Sequence, residues 1–164
     1  MVDFHQNGNI ATLHNMRTRG LEDMTYELET FAQSRKMSLI LPCLYSELET
    51  EAMPKILSEL SKVTYLHRII IGLDKADADA YRHAPQFSQG LNQNNIVIWN
   101  DSPRMLELGA RLDALGLAPS EQGKGKNVWT ALGYLMSCQD SAVMALHDCD
   151  IVTYTNDLLA RLIY

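Results

Sequence analysis

Short apolar runs recur along this chain, and the stretches between them keep a different rhythm. Met37–Leu41, Arg68–Leu73, Ile96–Trp99 and Ala142–Leu146 are rich in Ile, Val and Leu without strict polar alternation. Runs of that kind predict strands covered on both faces, as in a parallel sheet. Between them, apolar residues return every three or four positions, the period of a helix with one buried face. Leu48, Ala52, Ile56, Leu60 and Val63 form one such stripe. Met105, Leu108, Leu112 and Leu115 form another, and Val128, Ala131, Leu132 and Leu135 a third. Ser102 and Pro103 suit the N-cap and first position of the second helix. Pro54 lies within the first stripe, so that helix starts near Thr50 or bends at the proline. A further helix is expected over Leu21–Phe31, where Leu21, Met24, Leu28 and Phe31 share a face.

Strands alternating with helices predict an α/β sandwich with a mostly parallel sheet. Residues 1–36 read as a helical leader and residues 37–164 as one α/β unit. Ligands of such sheets bind beyond the carboxyl ends of the strands, so the chemistry is sought just after each apolar run. The first run leads into Pro42-Cys43-Leu44-Tyr45-Ser46-Glu47, and Ser46 with Glu49 has capping-box spacing. The second leads into Asp74-Lys75-Ala76-Asp77. An acid there can accept hydrogen bonds from a base or ribose, or cap the next helix, and Asp77 suits the cap. Pro85 and Gly90 break the pattern after it. Asp101 and Ser102, after the third run, read as turn and cap residues. Gly123-Lys124-Gly125-Lys126-Asn127 offers close backbone approach and a cation for a phosphate, or else a solvated loop. It has neither Walker A nor dinucleotide-fingerprint spacing.

The fourth run ends on His147-Asp148-Cys149-Asp150. Carboxylates at i and i+2 lie on one side of an extended chain, where a cation or donors must offset their repulsion. Their oxygens suit Mg²⁺ or Mn²⁺. His147 and Cys149 read as packing residues, since no second His/Cys pair accompanies them.

Composition narrows the field. The net charge of -6 argues against a general nucleic-acid or anionic-membrane binder. No apolar run is long enough for a membrane span, and no secretory signal is visible at the start. The 3 cysteines, Cys43, Cys138 and Cys149, fit reduced thiols and a cytoplasmic setting.

Taken in order, Leu41-Pro42-Cys43-Leu44-Tyr45-Ser46-Glu47-Leu48-Glu49, Ile71-Gly72-Leu73-Asp74, Trp99-Asn100-Asp101, Gly123-Lys124-Gly125-Lys126-Asn127-Val128-Trp129 and Ala145–Ile151 resemble the GT-A glycosyltransferases that use nucleotide-diphosphate sugars. The resemblance is greatest to the bacterial glucosyl-3-phosphoglycerate synthase family and runs from about Thr12 to the end. It implies a GT-A, Rossmann-like fold and a UDP-, GDP- or ADP-sugar donor. It implies donor contacts from Pro42, Leu44, Glu47, Asp74, Lys124 and Asp148, with Asp150 on a Mg²⁺ or Mn²⁺ ion. It further implies transfer of a hexose, glucose by preference, to 3-phosphoglycerate, glycerate or a similar small acceptor, with retention. Many relatives carry two adjacent acids where this chain has Leu73-Asp74, so the base is left open. In the family the acceptor pocket lies further along the chain, so no catalytic residue is assigned. The apolar ending, Leu158–Tyr164, is expected to need a packing partner, hence a fragment with little transfer activity, an exposed apolar patch and a homodimer. A nucleotidyltransferase making nucleotide sugars and a non-catalytic nucleotide-binding module remain as alternatives.

Overall fold

The computed structural model describes residues 19–119 and 121–164. Four strands, β1 (Met37–Leu44), β2 (Leu66–Asp74), β3 (Asn94–Trp99) and β4 (Val143–Leu146), form one parallel sheet in the order β3-β2-β1-β4. Helices α1 (Leu21–Ala32), α2 (Tyr45–Leu48), α3 (Ala52–Leu60), α4 (Ala78–Phe87), α5 (Pro103–Ala114), α6 (Lys124–Cys138) and α7 (Asn156–Ile163) connect and flank them. This is the α/β frame that the alternating patterns predict.

Strand alternation sorts the side chains into two layers. Leu39, Leu41 and Cys43 of β1, Ile69, Ile71 and Leu73 of β2, and Ala145 of β4 join the large core with Met24, Leu28, Met53, Ile56, Leu60 and Leu159 of the helices. Ile40 and Ile70 turn to the other face, where Ala131 and Leu135 of α6 cover them. The chain moves one way from β1 to β3, then back past β1 to reach β4. Right-handed crossovers put helices on opposite faces when that direction reverses. The β3–β4 connection therefore sends α6 to the second face.

Local chemistry explains most element ends. The Ser102 hydroxyl accepts from the Met105 N–H at 3.2 Å, capping α5 as expected. Asp77 caps α4 through the N–H groups of Asp79 and Ala80, and Pro85 is held inside that helix. α3 begins at Ala52, with Pro54 in its first turn, where a missing N–H costs little. The capping box differs from the expected one. α2 starts at Tyr45, and Glu47, not Glu49, reaches back to the Leu44 N–H at 2.7 Å. The same spacing fits both, two residues apart. β1 also runs further than its apolar pattern, so Pro42 is a buried strand residue. Proline is tolerated there because the last β1–β4 pair is Ile40 with Leu146, leaving no partner that needs its N–H.

α5 departs most from expectation. Its apolar stripe suggests a packed helix, yet none of its residues is buried, and Leu106 and Leu108 stand 57% and 43% exposed. Periodicity shows which residues share a face, but not whether that face has a partner. A cleft of about 890 Å³ opens between α5, α6 and the end of β3. The apolar ending is partly accommodated: α7 buries Leu159 and Ala160, while Leu158, Leu162 and Tyr164 remain exposed. No helix among the described residues is long and apolar enough to cross a membrane.

A buried polar contact seats the start of α6 on the sheet. Asn127 is buried and donates through Nδ2 to the Gly72 carbonyl at 2.8 Å. A Cβ on Gly72 would lie 1.8 Å from Asn127 Oδ1, so only glycine lets the helix start this close to β2. Gly72→Ala is expected to cost more than about 2 kcal/mol in urea unfolding, the scale of overpacking a tight site. The cost should shrink when Asn127→Ala is added, because the clashing atoms are then gone; equal costs in both backgrounds would show that the helix sits elsewhere.

Candidate functional site at the carboxyl edge

β4 lies beside β1, so the crevice between the two halves of the sheet opens where their carboxyl ends part. Leu44 is paired with Asp74 in the sheet register, and Asn100 sits just past the end of β3. Asn100 donates through Nδ2 to Asp74 Oδ1 at 2.8 Å, while its own Oδ1 is buried without a partner. By strand parity Leu44 and Asp74 continue the rows of Ile40 and Ile70, placing them on the α6 side.

The turn after β2 is fixed from β3. Lys75 takes a left-handed backbone conformation, φ 55°, unusual for a side-chain-bearing residue. Trp99 Nε1 donates to the Ala76 carbonyl at 2.8 Å, Asp101 accepts from the Ala76 N–H at 3.1 Å, and Trp99 stacks on Tyr81 at 4.9 Å. Asp101 and Ser102 are thus turn and cap residues, as their positions suggest.

On the other side of the crevice, α6 begins at Lys124, so the Gly-Lys-Gly-Lys segment is mostly first-turn helix. Gly123 precedes it at φ 129°, a conformation L side chains rarely adopt. A 15-residue helix directs its unpaired N–H groups and the positive end of its dipole toward this edge. The Lys124 ammonium forms an ion pair with Asp148 Oδ1.

The segment carrying Asp148 is held from beneath. The His147 N–H donates to the Ile40 carbonyl at 3.1 Å, extending the ladder one step. The His147 ring is buried, with Nδ1 3.1 Å from the Tyr154 hydroxyl. Cys149 packs in the core with Cys43, whose side chain, together with burial, pushes the Cys149 thiol far above its usual range. His147 and Cys149 are packing residues, as expected. Beyond them Lys55 Nζ donates to the Val152 carbonyl at 2.7 Å, and Glu59 accepts from the Asn156 N–H at 3.0 Å. Asp150 is exposed and lies in the turn that follows the strand. The strand ends at Leu146, so the extended-chain spacing behind the Asp-x-Asp reading does not describe Asp150.

The structure therefore gathers Leu44, Glu47 and Asp74 along one edge and joins Lys124 to Asp148. Pro42 is buried one layer below. Asn100 and Asn127 escape sequence reading, because amides in a turn and a helix start look solvated. Their place inside the quoted Trp-Asn-Asp and Gly-Lys-Gly-Lys-Asn motifs was the available signal.

A doubly wound parallel sheet of this order is consistent with the Rossmann-like GT-A fold. The chain is similar to proteins named glucosyl-3-phosphoglycerate synthase. It is 48% identical to that of Persephonella marina over 164 residues, covering 100% of this chain and 41% of the relative. It is 36% identical to that of Methanococcoides burtonii, covering 99% of this chain and 40% of the relative. The chain thus spans about two fifths of the length of these curated relatives. No protein-family model matches it.

The support beneath Asp148 has a pH signature. Burial lowers the His147 pKa, opposed by the Asp148 charge. A histidine depressed in the folded state stays neutral while the unfolded chain takes up a proton below the ordinary 6.5. Stability should therefore fall as pH drops below that value, by up to about 1.4 kcal/mol per unit separating the two pKa values. Urea unfolding between neutral and mildly acid pH should show this slope, and His147→Gln should flatten it; an unchanged slope in the variant would locate the titrating group elsewhere.

Proposed function

We propose that this chain forms the nucleotide-sugar-binding part of a metal-dependent glucosyltransferase. The whole enzyme transfers glucose from a nucleoside-diphosphate glucose to a small phosphorylated or carboxylated acceptor, 3-phosphoglycerate or glycerate, with retention. The observation that carries the reading is the Lys124–Asp148 pair at the N-terminus of α6, beside the Leu44–Asp74 edge. Phosphate finds a cation and a helix N-terminus there, and a base or ribose finds an acid backed by Asn100. The names of the relatives supply glucose and 3-phosphoglycerate.

Leu44 and Glu47 frame the nucleoside, with the Glu47 carboxylate holding the loop by its bond to the Leu44 N–H. Asp74 reads the base or ribose in an orientation set by Asn100. Lys124 faces the diphosphate. Asp150, with Asp148 beside it in sequence, presents carboxylate oxygens of the kind Mg²⁺ or Mn²⁺ prefers. Among the described residues no group of three or more His, Cys, Asp or Glu could hold an ion, so diphosphate and water oxygens would have to supply most of its ligands. When bound, such an ion neutralises charge building on the leaving nucleoside diphosphate.

Calorimetry with UDP-, GDP- and ADP-glucose, with and without Mn²⁺, tests the proposal. The preferred donor should bind more tightly with Mn²⁺, and Asp150→Ala should remove that gain, about tenfold or more, judged from the effect of losing even an outer partner of a metal. Asp74→Ala should narrow the differences between bases. Donor binding indifferent to Mn²⁺ in the unaltered chain would overturn the metal assignment.

A further inference from the structure

Beneath the crevice lie two thiols that the proposed donor chemistry does not use. β1 and β4 last pair at Ile40 and Leu146, and the His147 N–H continues the ladder to the Ile40 carbonyl. Three residues beyond that pair stand Cys43 on β1 and Cys149 on the chain leaving β4. Cys43 follows Leu39 and Leu41 onto the large-core face, and Cys149 joins the same core with Ala145. Neighbouring strands run about 4.8 Å apart, inside the Cα separation that a disulfide spans. The two residues are 2% and 1% exposed, and their side chains are in hydrogen-bonding contact. The third cysteine, Cys138, ends α6 and meets Arg68 at the amino-terminal end of the sheet, away from this pair. Cys43 stands between Pro42 and Leu44, and Cys149 between Asp148 and Asp150. The charges of Glu47 and Asp148 both act on the Cys149 thiol, which places it among the residues assigned to the donor.

We infer that Cys43 and Cys149 form a redox-modification site, whose disulfide ties the two walls of the crevice together and lowers donor affinity. The bond itself is independent of the donor-site reading above; its effect on the donor rests on that reading. A peroxide is the oxidant. One thiol gives up its proton and attacks a peroxide oxygen, the O–O bond breaks, and a sulfenic acid forms as water leaves. The second sulfur then displaces the hydroxyl of the sulfenic acid, the S–S bond forms, and a second water carries off the remaining proton. Each sulfur gives up one electron, and the peroxide is reduced to two waters. Both thiols are covered, so the oxidant reaches them only when the turn carrying Cys149 opens, and the reaction is slow. A covalent bond is shorter than the contact it replaces. The linked turn is therefore drawn toward β1, and Asp148 and Asp150 move with it. A dithiol reductant reverses the change by thiol–disulfide exchange.

The test treats the full chain with hydrogen peroxide and maps linked peptides by mass spectrometry without reduction. Calorimetry with UDP-, GDP- and ADP-glucose follows donor binding before treatment, after it, and after dithiothreitol. Peptides carrying Cys43 and Cys149 should be joined. The best-bound donor should bind roughly tenfold more weakly or worse, as expected of an ångström-scale displacement in a preorganised site. Dithiothreitol should restore the affinity. Cys149→Ala, which cannot form the bond, should keep its own donor affinity through the peroxide treatment; if that variant does not fold, loss and recovery in the unaltered chain decide. Cys43 and Cys149 still free after prolonged peroxide, or Cys138 in the joined peptide, would overturn the site. A bond that forms and leaves donor affinity unchanged would overturn its role as a switch. If the reduced chain binds none of the three donors, the donor-site reading fails and the switch with it, while the joined peptides still decide the modification site.

Discussion

The pairing of β4 against β1, rather than against its predecessor β3, constrains everything else in this molecule. It makes β1 a central strand, buried on both faces, and sends the β3–β4 connection to the face opposite α3 and α4. It also leaves a gap above Ile40 and Leu146, the last residues the two strands pair, where their chains diverge. The gap is walled by Leu44 and Asp74 on one side and by the His147–Asp150 segment on the other. Backbone groups and side chains from both halves converge there without any further folding. A crevice at that edge is a product of strand order, not of any one motif.

Two polar contacts turn the crevice into a defined site. Asn127 seats the start of α6 on Gly72, so the helix dipole and Lys124 arrive at a fixed height above the sheet. His147, wedged against Tyr154, does the same for Asp148 from the opposite strand. Burial holds the Tyr154 phenol well above its ordinary range, so its proton stays in place for the contact. The exposed ion pair between Lys124 and Asp148 contributes little to stability on its own. It places opposite charges, each on its own support, at the carboxyl edge of the sheet.

The sequence was legible where the physics is local or repetitive. Ile, Val and Leu runs marked all four strands, but burial on both faces accounts only for β1 and β2; β3 is half-buried, and β4 leaves Met144 and Leu146 exposed on one face. Ser102-Pro103 and Asp77 marked their helix starts, because a cap needs only one oxygen at one position. Strand ends were less visible. β1 continues through Pro42 because β4 has already stopped, and the turn at Cys149-Asp150 interrupts the alternation assumed for the two acids. The unburied face of α5 could not be foreseen, since its period is that of any packed helix. Asn100 and Asn127 depend on contacts across the sheet, 26 and 55 residues away in the chain, and no local pattern encodes those. Asp74, Lys124 and Asp148 were singled out through the order of their motifs; that Lys124 pairs with Asp148, and Asp74 with Asn100, follows only from the fold.

The account depends most directly on where a cation and a diphosphate come to rest. The decisive measurement is a crystal of this chain soaked with a nucleoside-diphosphate glucose and Mn²⁺, with the metal located by its anomalous signal. A manganese peak is expected between Asp150 and the phosphates, with Lys124 against a phosphate oxygen and the base against Asp74. A donor bound away from Asp74 and Lys124, or a manganese peak remote from the turn after β4, would contradict this placement.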